Sequence, residues 1–168
     1  KIEAGKFDLI ETEVDVPAFL QRSIKLISPQ ANDRHITLEL ECDDQAPALL
    51  CDQRPLSQIV NNLLSNAIKF SDEGQTISIK SSFDTTRGYV IRVTDDGIGM
   101  DETDIHKALE PFSQADASRA RNQEGTGLGL YVSRLLMGQH GGTLEIDSAP
   151  DEGTTVTVTF PPERIINS

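Results

Sequence analysis

The chain has 168 residues, 37% of them hydrophobic, enough to bury the core of one domain of ordinary size. Its 27 acidic against 15 basic residues give a net charge of −12, and there is no Lys/Arg cluster of the kind that follows a phosphate backbone, which argues against nucleic acid as a partner. Cys42 and Cys51 lack metal-ligand spacing, no run of about 18 apolar residues occurs, and residues 1–6 form no signal-peptide core, so the expected setting is reducing, cytosolic and outside the membrane.

In chain order, Asp15-Val-Pro17 followed by Phe19, Leu20, Ile24 and Ile27 predicts an N-capped helix with proline in its first turn. Pro29 inside that pattern is expected to kink the helix near Ser28 or end it early. Ile36 to Glu41 alternates with period two, as do Ile77 to Lys80 and Tyr89 to Thr94, and all three read as strands. Between the first two, residues 54–70 read as an amphipathic helix with Ile59, Leu63, Ala67 and Phe70 on its core face. Residues 112–125 lack periodicity and carry Arg119 and Arg121, the pattern of a mobile loop. A helix over 127–137 and strands over 142–147 and 154–160, joined by a turn-rich Ser-Ala-Pro-Asp-Glu-Gly, complete an α/β sandwich: a mixed sheet with helices on one face.

Four short runs carry the chemistry. On the helix over 54–70, Asn62, Asn66 and Lys69 are four and then three residues apart and share one face. The two amides offer carbonyl oxygens to a hard cation such as Mg²⁺, and Lys69 offers charge to phosphate oxygens. Asp95-Asp-Gly97-Ile-Gly99 follows a strand; its glycines permit a close turn, and the Asp95 carboxylate can accept from an adenine amino group. Taken alone, such a run is also what an ordinary turn contains. Glu110-Pro-Phe112-Ser-Gln114 precedes the loop. Gly125-Thr126-Gly127-Leu128-Gly129-Leu130 opens a helix, where backbone amides can approach phosphate. It is neither a dinucleotide fingerprint nor a P-loop, because the third glycine comes one residue early and no Gly-Lys-Ser/Thr is present.

In this order, the four runs resemble the N, first glycine, F and second glycine boxes of the catalytic and ATP-binding domain of sensor histidine kinases, within the GHKL superfamily. The resemblance spans about Val14 to Pro161. It implies a Bergerat-type two-layer α/β sandwich with a mostly antiparallel mixed sheet and a mobile ATP lid. It also implies ATP and Mg²⁺ as ligands, with Asn62 and Asn66 at the metal and phosphate, Lys69 at phosphate and Asp95 at the adenine N6. Gly97, Gly99, Gly125, Thr126, Gly127, Leu128 and Gly129 would line the nucleotide, Phe112 would belong to the lid, Arg121 would be its cation, and Thr154 would help close the adenine pocket. Residues 1–13 resemble the linker after a dimerisation and phosphoacceptor domain, 14–161 the catalytic domain, and 162–168 a tail.

The partners implied are that phosphoacceptor domain, whose histidine would receive the γ-phosphoryl group, and a response-regulator receiver domain downstream. The implied state is a monomeric piece of a bacterial, cytoplasm-facing homodimeric kinase, with slow ATP turnover in isolation. His35, His106 and His140 lack the family's phosphoacceptor pattern and read as surface or strand-end residues. Glu124, at a place that is often glycine, departs from the family, as does Phe70 where some members have tyrosine. Two rivals are a GHKL ATPase or serine kinase of another lineage, and a non-catalytic docking module with a degenerate pocket.

Overall fold

The computed structural model describes residues 8–43, 45–110 and 129–166. Eight strands, β1 (Thr12–Val14), β2 (Thr37–Glu41), β3 (Ala48–Cys51), β4 (Thr76–Asp84), β5 (Gly88–Asp95), β6 (Thr143–Ser148), β7 (Thr154–Phe160) and β8 (Ile165–Ile166), are described. With them are the helices α1 (Val16–Asp33), α2 (Gln53–Phe70), α3 (Glu102–Ala108) and α4 (Gly129–Gln139). Five strands form the main sheet in the order β2-β4-β5-β7-β6, with β2 parallel to β4 and the other neighbours antiparallel. The expected mixed, mostly antiparallel sheet is therefore present.

The period-two pattern explains the layering. Tyr89, Ile91 and Val93 of β5 are buried, whereas Arg92 between them is exposed, so one face meets the helices. Val156, Val158 and Phe160 of β7 repeat the alternation. Against that face lies α2, burying Leu56, Ile59, Val60, Leu63, Leu64, Ala67 and Ile68. Its core stripe is wider than expected, and Phe70 stands half-buried at its margin rather than in it. Each of the buried Leu, Ile and Val side chains contributes roughly 1.5–3 kcal/mol by leaving water, and Ala67 contributes less.

Asp15 caps α1, its carboxylate accepting from the Ala18 amide at 3.2 Å. The helix does not end at Pro29 but continues to Asp33. Pro29 and Lys25 are both exposed, so the Lys25 carbonyl that loses its amide donor faces solvent and the helix tolerates the proline.

Three features escaped the sequence reading. β1, β3 and β8 form a second antiparallel sheet in the order β1-β3-β8, so residues 12–13 and 165–166, expected in the linker and tail, pair within the fold. α3 is capped by Asp101, which accepts from the Asp104 amide at 2.8 Å. His140 is not a surface histidine: it is 1% exposed, its Nδ1 donating to the Leu136 carbonyl at 2.9 Å and its Nε2 accepting from the Asp52 amide at 3.2 Å. His35 is exposed, as expected, and lies 3.1 Å from Glu73.

Candidate functional site

The helix expected over 54–70 forms as Gln53–Phe70, its start fixed by Asp52, whose carboxylate accepts from the Arg54 amide at 3.0 Å. Asn62, Asn66 and Lys69 lie on it, all half-buried along the margin of its core stripe, as 3.6 residues per turn requires. Asn62 is already engaged: its Nδ2 donates to the Gly129 carbonyl at 3.1 Å and to Ser133 Oγ at 3.2 Å, leaving its Oδ1 as the acceptor. The N-terminal end of α4 is thereby fixed beside the Asn62 face of α2.

The far end of α2 meets the loop after β5. The Ile98 amide donates to the Phe70 carbonyl at 3.3 Å, and a Cβ at position 97 would stand 2.0 Å from that same oxygen. Only glycine permits this approach. Gly99, with φ of +70°, packs against the Ala149 carbonyl, so the spacing of the two glycines reflects two backbone crossings.

Asp95 closes β5 at the mouth of this corner. It is 7% exposed, and its Oδ1 accepts from the Gly97 amide at 2.8 Å. Burial raises its pKa, while bonds from the Gly97 and Thr154 backbones oppose the rise and neighbouring Asp96 adds to it. A buried acceptor at a strand end, with no cation among the groups that shift it, is suited to a neutral N–H donor such as an exocyclic amine.

Thr154 pairs with Asp95 across β5 and β7. Its hydroxyl lies 2.8 Å from Ser148 Oγ, which donates to the Gly153 carbonyl at 2.7 Å and accepts from the Met100 amide at 2.8 Å. Ser148 thus fastens the 148–154 turn to the loop after Gly99. The sequence marked that residue only as part of a turn. Ser133, which anchors Asn62, gave no signal beyond helix periodicity.

Of the residues expected at the site, Asn62, Asn66, Lys69, Asp95, Gly97, Gly99, Gly129 and Thr154 lie on elements that meet around the end of α2 and the end of β5. Phe112, Arg121, Gly125, Thr126, Gly127 and Leu128, together with Glu124, lie outside the described residues. The helix expected from 127 is described from Gly129 to Gln139.

Among the described residues no cluster of three or more His, Cys, Asp or Glu side chains could hold a metal. The donors present are amide oxygens, which suit Mg²⁺ when phosphate oxygens and water supply the remaining ligands. No described helix is long and apolar enough to cross a membrane.

Comparison with known proteins places the chain in a family. The chain is 34% identical over 174 aligned residues to the Cell-division control histidine kinase PdhS of Brucella ovis, across 99% of this chain and 17% of that protein. The Brucella canis protein of the same name is equally similar. The chain therefore spans about 17% of the length of these curated relatives. Full-length ShkA, solved in complex with AMPPNP, superposes with a TM-score of 0.79 at 27% identity, covering 92% of this chain and 32% of that one. The nucleotide-free catalytic domain of histidine kinase ThkA shares the fold, with a TM-score of 0.78 at 24% identity over 92% of this chain and 98% of that domain. Residues 51–164 match the family described as Histidine kinase-, DNA gyrase B-, and HSP90-like ATPase, and the chain belongs to that family.

Proposed function

We propose that this chain is the ATP-binding catalytic domain of a sensor histidine kinase, which binds Mg·ATP and donates its γ-phosphoryl group to a histidine on a separate phosphoacceptor domain. The observation that carries the proposal is the corner at Phe70, where the Asp95 to Gly99 loop docks on the end of the helix bearing Asn66 and Lys69. One buried carboxylate for adenine and one amide and ammonium pair for phosphate then stand on adjoining elements. The sequence similarity to the PdhS proteins supports the histidine-kinase assignment within the wider family.

In this reading the Asp95 carboxylate accepts from the adenine amine, and the Gly97 amide keeps that carboxylate oriented. Asn66 and Asn62 would hold Mg²⁺ through their side-chain oxygens, and Lys69 would bind phosphate. Bound Mg²⁺ supplies neutralisation of the charge on the phosphate oxygens. Phosphoryl transfer depends chiefly on position and charge, so what this chain contributes is a fixed adenine end and a cationic phosphate end. Phe112, Arg121 and residues 125–128 take the lid and phosphate-cradle roles by their resemblance to the family's boxes. Thr154 acts through Ser148 to keep the adenine side of the pocket closed.

The accepting histidine and its neighbouring acid belong to the phosphoacceptor domain, which the segment before β1 would join to the catalytic domain, a domain that takes in β1 and β8 beyond the expected bounds of 14–161. Full-length homodimerisation, a cytoplasmic position and a downstream receiver domain follow from the same reading. Incubating the chain with γ-labelled Mg·ATP and a histidine phosphoacceptor domain tests it. Acid-labile, alkali-stable label on the acceptor, absent with Asn66→Ala, is the expected result; ATP hydrolysis at the same rate with or without the acceptor would contradict it.

A further inference from the structure

The carbonyls that end α2 are gripped by the residue that follows α1. Arg34 stands immediately past α1, its own amide donating to the Ala31 carbonyl at 3.1 Å, and His35 after it turns the chain with a φ of +57°. From that fixed point the guanidinium reaches across to α2. Its Nη1 donates to the carbonyls of Ile68 and Lys69, the latter at 3.1 Å, and its Nη2 donates to the Ser71 carbonyl at 2.6 Å.

Three acceptors on one planar fork are what arginine can serve and lysine cannot. The last carbonyls of a helix lack intrahelical donors and carry the negative end of its dipole, so a cation there also has an electrostatic role. Ser71 closes the same turn, its amide and hydroxyl both donating to the Ala67 carbonyl, at 3.1 and 2.7 Å. With these carbonyls satisfied, the Lys69 ammonium is not needed as their cap. Among the described residues it makes no hydrogen bond or ion pair.

We propose that Arg34 is a positioning residue for phosphate binding: by clamping the Ile68, Lys69 and Ser71 carbonyls it fixes the last turn of α2 and so aims Lys69 at the nucleotide's phosphates. The same turn carries the Phe70 carbonyl on which the Gly97 loop rests, but the Arg34 fork grips the carbonyls on either side of it and leaves that one to the loop. This inference rests on the reading of Lys69 as a phosphate ligand.

The test is a double-mutant cycle in Mg·ATP affinity, measured by calorimetry on the wild-type chain, Arg34→Ala, Lys69→Ala and the double variant, each checked for folding by circular dichroism. Arg34→Ala is expected to weaken binding about tenfold, on the scale of a charge-assisted hydrogen bond. In the Lys69→Ala background, removing Arg34 is expected to change affinity less than about twofold, because the residue it aims is gone. A merely structural role would make the two losses multiply, and that outcome overturns the proposal, as does wild-type affinity in Arg34→Ala. If Arg34→Ala does not fold, Arg34→Lys replaces it in the cycle with the same expected non-additivity. Failure of the wild-type chain to bind, or full affinity in Lys69→Ala, would instead overturn the reading of the site itself.

Discussion

Asn62 on α2 donates its side-chain amide to the carbonyl of Gly129, 67 residues on, at 3.1 Å, and the same Nδ2 reaches Ser133 Oγ at 3.2 Å. The helix that carries the metal and phosphate candidates is thereby tied to the helix that follows the glycine run. Replacing Asn62 with alanine removes both bonds and is expected to lower stability by about 1–2 kcal/mol. Asn62→Asp should be worse, because a carboxylate cannot donate and would face the Gly129 carbonyl. Chemical denaturation at neutral pH checks the order; equal stability of all three proteins would show that the tie is not made.

Two glycines of the site should respond very unequally to one added methyl. At Gly97 a Cβ would lie 2.0 Å from the Phe70 carbonyl oxygen and 3.0 Å from Asp95 Oδ1. Gly97→Ala is therefore expected to destabilise the fold by about 3 kcal/mol and to weaken ATP binding. At Gly129 the nearest atom beyond the helix is Asn62 Cγ at 3.5 Å, an ordinary contact. Gly129→Ala should stay within about 0.5 kcal/mol of the wild type. Melting temperatures and ATP titrations on the two variants are the check, and a Gly129→Ala defect equal to that of Gly97→Ala would contradict the geometry.

Asp95 predicts a trade between stability and binding. Burial raises its pKa, so its contribution to stability is complete below the ordinary aspartate value of about 3.9 and is lost as pH rises through the raised folded-state value. At neutral pH the ionised carboxylate is a standing strain on the fold. Asp95→Asn removes the charge and keeps an acceptor for the Gly97 amide. We expect it to melt no lower than the wild type at pH 7, while its ATP affinity falls at least about tenfold because an amide can present its donor to the adenine amine. Reduced stability together with retained ATP affinity would contradict the assignment.

His140 gives the fold a mild-acid limit. Burial pushes its pKa down, the Leu136 carbonyl opposes that shift, and Arg164 adds to it; Asp52 and Glu11 act the other way. With Nδ1 donating to Leu136, the neutral Nε2 accepts from the Asp52 amide, and a proton on Nε2 would set two donors face to face. The stability held by neutral His140 is complete above about pH 6.5 and is lost as pH falls from there towards the depressed folded-state value. Asp52 follows a separate window. The Arg54 side chain, chiefly, holds its carboxyl well below the usual range, so its contribution persists above about pH 4 and fades only below that. Melting curves from pH 7.5 to 5.5 should fall more steeply for the wild type than for His140→Gln; parallel curves would contradict this.

The long periodic elements were legible because each had one buried face. Thr154 to Phe160 forms with the expected bounds, and α2 begins one residue early. The second sheet was not legible. Its strands have three, four and two residues, too short for alternation to register, and they are held by long-range partners such as Arg164, which reaches the Leu50 carbonyl at 3.0 Å and the His140 carbonyl at 2.6 Å. The nucleotide candidates were readable where spacing put side chains on one helix face, as with Asn62, Asn66 and Lys69. The residues that hold them, Arg34, Ser133 and Ser148, were not, because they act across gaps of tens of residues and carry no pattern of their own. The same limit explains His140, whose burial depends on the Asp52 amide 88 residues away.

The most direct test of the account is calorimetric titration of ATP, with and without Mg²⁺, into the wild-type chain and Asn66→Ala. The account predicts micromolar affinity that Mg²⁺ strengthens and the substitution abolishes. Folded wild-type protein that binds no ATP would contradict it and leave a docking module as the better description of this domain.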